Sequence, residues 1–503
     1  MPRRISRELK TLSVWALSLA ISGCIGTGGI APQGKSLAAN NLATDDAIQS
    51  AARDAHWPTT QWWQAYGDPQ LNACVDLAVQ GSPSMAEAAA RVREARAMAG
   101  LAESAEAVQI NGDATLKRHN WPSDQFYGPG KLDNSTTWDN NAALGLSYAL
   151  DLWGRERNAT ERAVDLAHMS VAQARQAQLE LQNNVVRAYI QLSLHYAQRD
   201  IVAATLAQQQ QILDLAQKRL DGGIGTHFEV SQAQTPLPET HRQLDALDEE
   251  IALTRNQLAA LAGKGPGEGA TLQRPTLALA APLKLPSALP AQLLGQRPDV
   301  VASRWQVAAQ ARGIDVAHAG FYPNVDLVGS LGYVATGGGM LEFLTGKKLN
   351  YSVGPAITLP IFDGGRLRAQ LGEASAGYDI AVARYNQTLV NALKGISDQL
   401  IRRESMAKQQ TFAAESVASA QKTYDIAMIA YQRGLTDYLN VLNAQTLLFR
   451  QQQVQQQVQA ARLSAHAELV TALGGGLGAG NDAPAAGTTL ASKTPAALAV
   501  FDH

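Results

Sequence analysis

Few residues in this 503-residue chain have the type and spacing to do chemistry. Its nine histidines are scattered, with no His-Glu-x-x-His arrangement to set two imidazoles on one helical face for zinc. Two cysteines, Cys24 and Cys74, make neither a disulfide framework nor a closely spaced ligand pair. Gly263-Lys264-Gly265-Pro266-Gly267 lacks the Gly-Lys-Ser/Thr order of a phosphate-cradling loop, and no strand precedes it. Asp221-Gly222-Gly223 opens no calcium-loop spacing. Asn134-Ser135-Thr136 is a glycosylation sequon in form only. Cys74 shares a helical stripe with Leu71, Val75 and Ala78, where a thiol packs as a small apolar group. These residues predict no enzyme, no metal and no cofactor, so the energy for any transport must come from another protein.

One cysteine does suggest covalent chemistry. Arg3, Arg4, Arg7 and Lys10 precede an apolar run from Leu12 to Ile21, which leads into Ser22-Gly23-Cys24. A basic segment, a short apolar run and small residues before the cut describe a secretory signal, here residues 1–23. The apolar run is far below the roughly 20 residues that span a bilayer as a helix. Ile-Ser-Gly-Cys resembles a bacterial lipobox, so Cys24 is expected to carry a covalent lipid as the first mature residue; Ile25 beside it favours the outer membrane. Acyl chains tether a chain end but make no pore. The 17% charged composition and net charge of -2 lack the basic stripe of a nucleic-acid binder.

No other stretch is apolar for eighteen residues, so a membrane crossing would require strands. Four segments alternate with period two, at about residues 107–118, 142–153, 324–334 and 351–361. Val108, Ile110 and Leu116 interleave with Asn111, Asp113 and Lys117; Leu144, Leu146, Tyr148, Leu150 and Leu152 with Gly145, Ser147 and Asp151. Val325, Leu327, Leu331 and Tyr333 alternate with Asp326 and Ser330; Tyr351, Val353, Ile357 and Ile361 with Ser352, Gly354 and Thr358. Each run has the length of a tilted strand in a bilayer, and polar loops at 118–140 and 335–350 close two hairpins. Single-chain membrane barrels begin at eight strands, and an open edge in lipid leaves backbone groups unsatisfied. Four strands must therefore share a barrel with copies of the same chain.

Between the hairpins lie helices too long for a globular core. Residues 154–221 contain a heptad grid from Val164 to Leu220 and a second from Ala167 to Ala216. Helices at about 226–262, 366–433 and 437–473 complete the set, with Pro236 and Pro238 predicting a kink or local break in the first of these. The plan is written twice. GGIGTHFEVSQAQT and RGLTDYLNVLNAQT align with Gly223 and Gly434 separated by 211 positions; LDLWGRER at 150 matches LPIFDGGRLR at 359 with two residues inserted. Glu94-Ala95-Arg96 falls against Gln310-Ala311-Arg312 at an offset of 216. The organisation is signal 1–23, lipid-anchored linker 24–56, first repeat 57–262, equatorial linker 263–297, second repeat 298–475 and a disordered tail 476–503.

Together with WPTTQWWQAYGDPQL at 57–71, RPDV at 297–300, LPIFDGGRLRA at 359–369 and YQRGLTDYLNVLNAQ at 431–445, this plan resembles the TolC/OprM family of outer-membrane efflux ducts over about residues 55–475. Within it the chain is most similar to the lipoprotein branch, called NodT-like, with members tied to fusaric-acid and multidrug resistance. The resemblance implies a mainly α fold with membrane β: a homotrimer whose 12-stranded barrel, four strands per chain, continues into a periplasmic α-helical barrel in a Gram-negative bacterium. It implies an exit duct for drugs or other small toxic compounds, served by a periplasmic adaptor and an inner-membrane pump of the RND or fusaric-acid type. A type I polypeptide secretion outlet uses the same architecture, and a structural coiled-coil envelope lipoprotein is the alternative from another class. The resemblance further implies adaptor docking at tips around Gly223, Gly434, Leu435 and Thr436. It implies a periplasmic gate at Leu439, Asn440, Asn443 and Asp437, with Tyr431 holding the closed state. Family members commonly have aspartate where this chain has Asn440 and Asn443, so its entrance is expected to bind divalent cations less well. Phe228, Glu229 and Gln232 fill the corresponding places of the first repeat.

Overall fold

The computed structural model describes residues 26–38, 41–43, 48, 58–123, 132–278 and 297–476. Cys24, the signal segment, most of the 24–56 linker and the tail beyond Gly476 lie outside these residues. A short 3-10 turn at Trp62–Tyr66 leads into α1 (Pro69–Gly81) and α2 (Pro83–Ser104). The chain then enters β1 (Gln109–Trp121) and β2 (Ser135–Ala149), followed by α3 (Arg155–Asp221), α4 (His227–Gln234), α5 (Pro236–Leu261) and α6 (Pro266–Ala270). The second half repeats the order as α7 (Pro298–Ala319), β3 (Asn324–Thr336), β4 (Leu349–Thr358), α8 (Arg366–Gln432) and α9 (Tyr438–Ala472).

The duplication is closer than the sequence suggests. α3 and α8 each have 67 residues, about 100 Å of helix. Each begins after a left-handed glycine, Gly154 or Gly365, and each is followed by another, Gly223 or Gly434. α2 and α7 each have 22 residues and start on a proline, at 83 and 298, an offset of 215. The elements thus align one residue away from the 216 read from the Ala-Arg pairs, because the Pro at the first helical position fixes the register.

β1 to β4 form one antiparallel sheet in that order, leaving one edge of β1 and one edge of β4 without a partner among the described residues. The register settles which side chains share a face. Ile110 opposes Leu146, Leu144 opposes Leu331, Leu331 opposes Tyr351, and Val325 opposes Ile357. Most of the bulky residues therefore stand on one side, which has no helix or loop over its middle among the described residues, while Trp121, Val328 and Val334 fall on the other. The opposite side carries Asn111, Asp113, Asn141, Ser330 and Ser352, tied across strands by Asn141 Nδ2 to Asp113 and by the Ser330–Ser352 hydroxyl pair at 2.9 Å.

Strand limits differ from the alternating runs. β1 and β2 continue to Trp121 and Ser135, well into the segment read as a loop, because polar cross-strand bonds prolong the ladder where the apolar alternation stops. Thr136 Oγ1 donates to Asn120 at 3.0 Å, and Trp121 Nε1 to Thr137 Oγ1 at 2.8 Å. β2 ends at Ala149, so Leu150 and Leu152 fall outside it; the Leu150 amide still bonds Val325 O at 2.9 Å before the chain turns toward α3. Val108 and Ile361 likewise lie beyond the strand ends.

Among the helices, the second heptad grid is the buried one: Leu181, Ala188, His195, Val202, Gln209 and Ala216 of α3 are all buried in unbroken seven-residue steps. Over 226–262, where the two prolines predict a kink or local break, Pro236, with no amide hydrogen to bond back, separates α4 from α5. Midway along, Trp62, Trp63 and Tyr66 pack with Leu71 and Val75 of α1, Val185 and Tyr189 of α3, and Val470 of α9. Tyr66 donates to Leu463 O at 2.8 Å and Tyr189 to Asp68 at 2.9 Å, locking the first segment to both repeats. Cys74 packs against this cluster, and burial, with Asp68 and Glu268 nearby, pushes its thiol up to about 11.

A strap precedes all this. Residues 26–38 run beside α8: Arg368 Nε donates to Gly26 O at 3.0 Å, Asp379 accepts from the amides of Gln33 and Gly34, and Asn386 from that of Leu37. Ile48 is buried with Leu393, Ile396, Leu400, Leu469 and Leu473 farther along.

Candidate functional site

At the end of the helices away from the sheet, two turns reverse the chain. The first follows α3. Gly223, at φ 76°, donates to Leu220 O at 3.0 Å, and the next amide, Ile224, donates to Arg219 O at 3.0 Å. The second, after α8, copies it: Gly434, at φ 70°, donates to Tyr431 O at 3.0 Å and Leu435 to Ala430 O at 2.9 Å. A left-handed residue closing six-to-one and five-to-two bonds is the Schellman cap, which asks for glycine. Ile224 and Leu435 then have nowhere to fold back to, and stand 73% and 75% exposed. Each turn therefore presents one apolar knob, and Phe228, at the start of α4 and 69% exposed, adds another at the first tip.

The return helices start on side-chain caps. Thr226 accepts from the Glu229 amide at 3.2 Å while Glu229 Oε2 accepts from the Thr226 amide at 2.9 Å, a complete capping box. In the second tip Asp437 caps α9, accepting from the Asn440 amide at 3.2 Å. Asn440 Nδ2 also donates to Asp437 Oδ1 at 2.9 Å and to Thr436 Oγ1 at 2.8 Å. The Asn440 side-chain amide is thus held in the cap, whereas the side chain of Asn443, one turn on, makes no hydrogen bond among the described residues.

α9 is two-sided at this end. Leu439, Asn443, Thr446, Leu447 and Arg450 form an exposed face. Tyr438, Val441, Ala444, Gln445 and Leu448 form a buried one, packed on Ile212 and Ala216 of α3 and on Ala420, Tyr424 and Tyr431 of α8. Of the residues expected at the gate, Leu439, Asn440, Asn443 and Asp437 are brought together on the exposed side of the tip. Tyr431 is not with them. It is fully buried behind α9, its ring 6.1 Å from that of Tyr438.

Two further residues belong to this cluster and were not singled out from sequence. Arg219, the last-turn residue of α3, places its guanidinium 5.1 Å from the Tyr431 ring and so bridges the two hairpins. Tyr438 closes the other side. Burial raises the Tyr431 phenol, with Glu229 adding to the effect. Burial, then Tyr431 and Tyr424, push Tyr438 up to about 12. Neither hydroxyl finds a hydrogen-bond partner among the described residues. The spacing of Tyr431 and Tyr438, seven residues across the glycine turn, was the signal available in the sequence.

Among the described residues no group of three or more His, Cys, Asp or Glu is placed to hold a metal ion, and no helix is long and apolar enough to cross a membrane. What the tips offer is exposed apolar side chains at Ile224, Phe228 and Leu435 and, on α9, a polar face with apolar steps at Leu439 and Leu447.

The family model for the outer membrane efflux protein matches residues 74–264 and 289–475. The chain is 54% identical over 366 residues to the fusaric acid resistance protein FusA of Burkholderia cepacia, covering 73% of this chain and 69% of that protein. It is 28% identical over 490 residues to the multidrug resistance outer membrane protein MdtP of Escherichia coli K12, covering 95% and 99%. The crystal structure of the outer membrane protein VceC of Vibrio cholerae superposes with a TM-score of 0.78 at 33% identity, covering 84% of this chain and all of that one.

Proposed function

The chain belongs to the outer membrane efflux protein family, and on that premise we propose which of its parts do which work. It is an outer-membrane channel for efflux, a mainly helical protein with one four-stranded sheet. One observation carries the mechanism: a sheet with most of its bulky residues, among them Ile110, Leu144, Leu331, Tyr351 and Val353, on one face and, among the described residues, both outer edges unpaired. Lipid covers the bulky face, and copies of the chain satisfy the edges, since an unpaired edge in hydrocarbon costs several kcal/mol per backbone group. Three copies give twelve strands, with Asp113, Asn141, Ser330 and Ser352 lining a wet lumen.

The cargo is of the class in the relatives' names, fusaric acid or other small drugs, and an inner-membrane pump of the RND or fusaric-acid type drives it through a periplasmic adaptor. The adaptor docks at the tips, on Gly223, Gly434, Leu435 and Thr436, where the knobs supply apolar contact. Leu439, Asn440, Asn443 and Asp437 constrict the entrance. Tyr431 holds it closed from behind, by fixing α9 to α3 through Arg219 and Tyr438. Cys24 carries the lipid. Gly26, two positions along the chain from Cys24, is held by Arg368 in the first turn of α8. Acyl chains there would enter the leaflet that the bulky face spans.

The test is reconstitution in planar bilayers. Detergent-extracted particles are expected to have the mass of three chains and to conduct ions. A particle with the mass of one chain, or one that never conducts, would overturn the reading. Photocrosslinking from Leu435 and Thr436 in cells is expected to capture a membrane fusion protein. Equal capture from the strap residue Lys35 would remove the tips as the docking site.

A further inference from the structure

The loop between β3 and β4 does not stand clear of the sheet. Gly337, left-handed at φ 91°, donates to Trp138 O at 2.8 Å and turns the chain back. Asn140 Nδ2 then donates to Met340 O at 2.7 Å. Short turns at Glu342–Leu344 and Gly346–Lys348 follow before β4.

The ladder says which side of the sheet this covers. Asn140 is opposite Leu116 on β1 and Ala335 on β3, and strand alternation puts these three on the face of Ile110, Leu144, Leu331 and Tyr351. That is the bulky, lipid-covered face and not the lumen. Asn140, Ala335 and Phe343 are buried under the loop. A polar Asn140 at the upper border of the apolar band thus gains a partner and a cover. The outward surface of the loop is nonetheless apolar: Met340, Leu341 and Leu344 are exposed, Leu341 by 63%. Lys347 and Lys348 follow at once, on the side where the chain leaves the bilayer.

We propose that residues 339–348 form a lipid-contact element, with Met340, Leu341 and Leu344 entering the outer leaflet and Lys347 and Lys348 meeting its anionic headgroups. Two observations choose lipid as the occupant. The loop packs, through Asn140 and Met340, on the same face of the sheet that carries Leu349, Tyr351 and Val353 of β4, so its exposed apolar side chains add to that wall. Lys347 and Lys348 immediately precede β4, at the end of the sheet next to this patch, and each basic residue near an anionic surface attracts it. An apolar patch with a cationic border is the composition of interfacial membrane segments. The element would hold the third and fourth strands at a fixed depth and keep the loop off the channel mouth.

The inference rests on the bulky face being the lipid face, so the experiment tests both separately. An environment-sensitive dye is attached at Leu341→Cys or at Val353→Cys in the full-length protein carrying Cys74→Ala, reconstituted in phosphatidylcholine vesicles. Both dyes are expected to shift to the blue, to be quenched by brominated acyl chains and to be shielded from aqueous iodide. Quenching of the Leu341 site by iodide and not by bromolipid, with the Val353 site still in lipid, overturns the loop proposal alone. If the Val353 site also meets iodide and not bromolipid, the face assignment itself fails. Replacing part of the phosphatidylcholine with phosphatidylglycerol is expected to deepen the Leu341 quenching, and Lys347→Glu with Lys348→Glu to abolish that gain. No gain with the native lysines would remove the headgroup contact from the proposal.

Discussion

The two tips share a turn and differ in what holds it. Gly223 and Gly434 make the same cap, and Ile224 and Leu435 project from it to the same extent. Below the turn the copies part. At the positions of Tyr431 and Tyr438 the first tip has Leu220 and His227, half-buried and exposed respectively. Its return helix α4 has eight residues and stops before Pro236, with only Ala233 buried. The second return helix, α9, runs 35 residues without a break and buries Tyr438, Val441, Ala444 and Leu448 near its start. A left-handed glycine is nearly the only way to end a helix so abruptly, so both copies keep it. Packing underneath is free to diverge, because many cores seat one turn. The second tip is therefore clamped and moves as a unit with α9, while the first is held mainly by its own capping box.

The largest expected effect breaks the clamp. Tyr438→Ala empties a fully buried site between three helices, a change that costs about 3–5 kcal/mol for large aromatics. His227→Ala, at the matching exposed position, should stay within about 0.5 kcal/mol. Hydrogen exchange over the first turns of α9 and of α4 reads both; equal loss of protection in the two variants would end the distinction between clamped and unclamped tips.

Alkali should separate the tips next. Tyr431 and Tyr438 have raised phenol pKa values, the latter about 12, chiefly through burial. The protonated phenol is thus favoured by the folded tip. Below the ordinary tyrosine value near 10 both states are protonated and stability does not change with pH. Between about 10 and 12 the loosened tip ionises first, so the clamp weakens as pH rises. Tyrosinate absorbance combined with exchange over α9 should show the second tip opening in that window, with no matching transition at the first, which has no tyrosine.

A smaller effect should be the same in both copies. An added Cβ at Gly223 or Gly434 would meet no atom within 4 Å, so alanine there costs only the left-handed backbone term, roughly 1–2 kcal/mol. Gly225→Ala should cost more, because its Cβ would lie 2.7 Å from the backbone of Leu220. Melting of the three variants checks the ranking; unequal losses at Gly223 and Gly434 would mean the two turns are not the same device.

These differences mark what the sequence could say. The tips were legible because Gly223 and Gly434 sit in matching strings, and a Schellman cap is a local event set by a few residues. Sheet membership was legible through period two, but its limits were not: from Asn120 to Thr136 the ladder rests on side-chain bonds between polar residues, which carry no hydrophobic signal. Likewise Arg219 could not be found. Its partner Tyr431 is 212 positions away, and no periodicity links a basic residue in one helix to an aromatic ring in another. The sharing of one face by Asn440 and Asn443 followed from helical spacing, whereas their different bonding depended on Thr436 and Asp437 being folded into the cap.

That last difference gives the smallest and most specific prediction. A carboxylate within about 8 Å of an axis attracts a divalent ion by about 1 kcal/mol in water-like surroundings before salt screening. Asn443→Asp adds one such charge per chain on the exposed face of α9 and disturbs no hydrogen bond, so stability should be unchanged. Half-block of single-channel current by a divalent cation should then need a lower concentration. Asn440→Asp adds the same charge but removes the amide that donates to Asp437 and Thr436, and it sets two carboxylates 2.9 Å apart in the cap. It should gain less cation binding, because one proton or one cation is needed to relieve that pair, and it should lose about 1 kcal/mol of helix-start stability. Unchanged block in Asn443→Asp would move this face of α9 off the channel axis. An equal gain in the two variants would mean that the cap does not restrain Asn440, and the second tip would then be as loosely seated as the first.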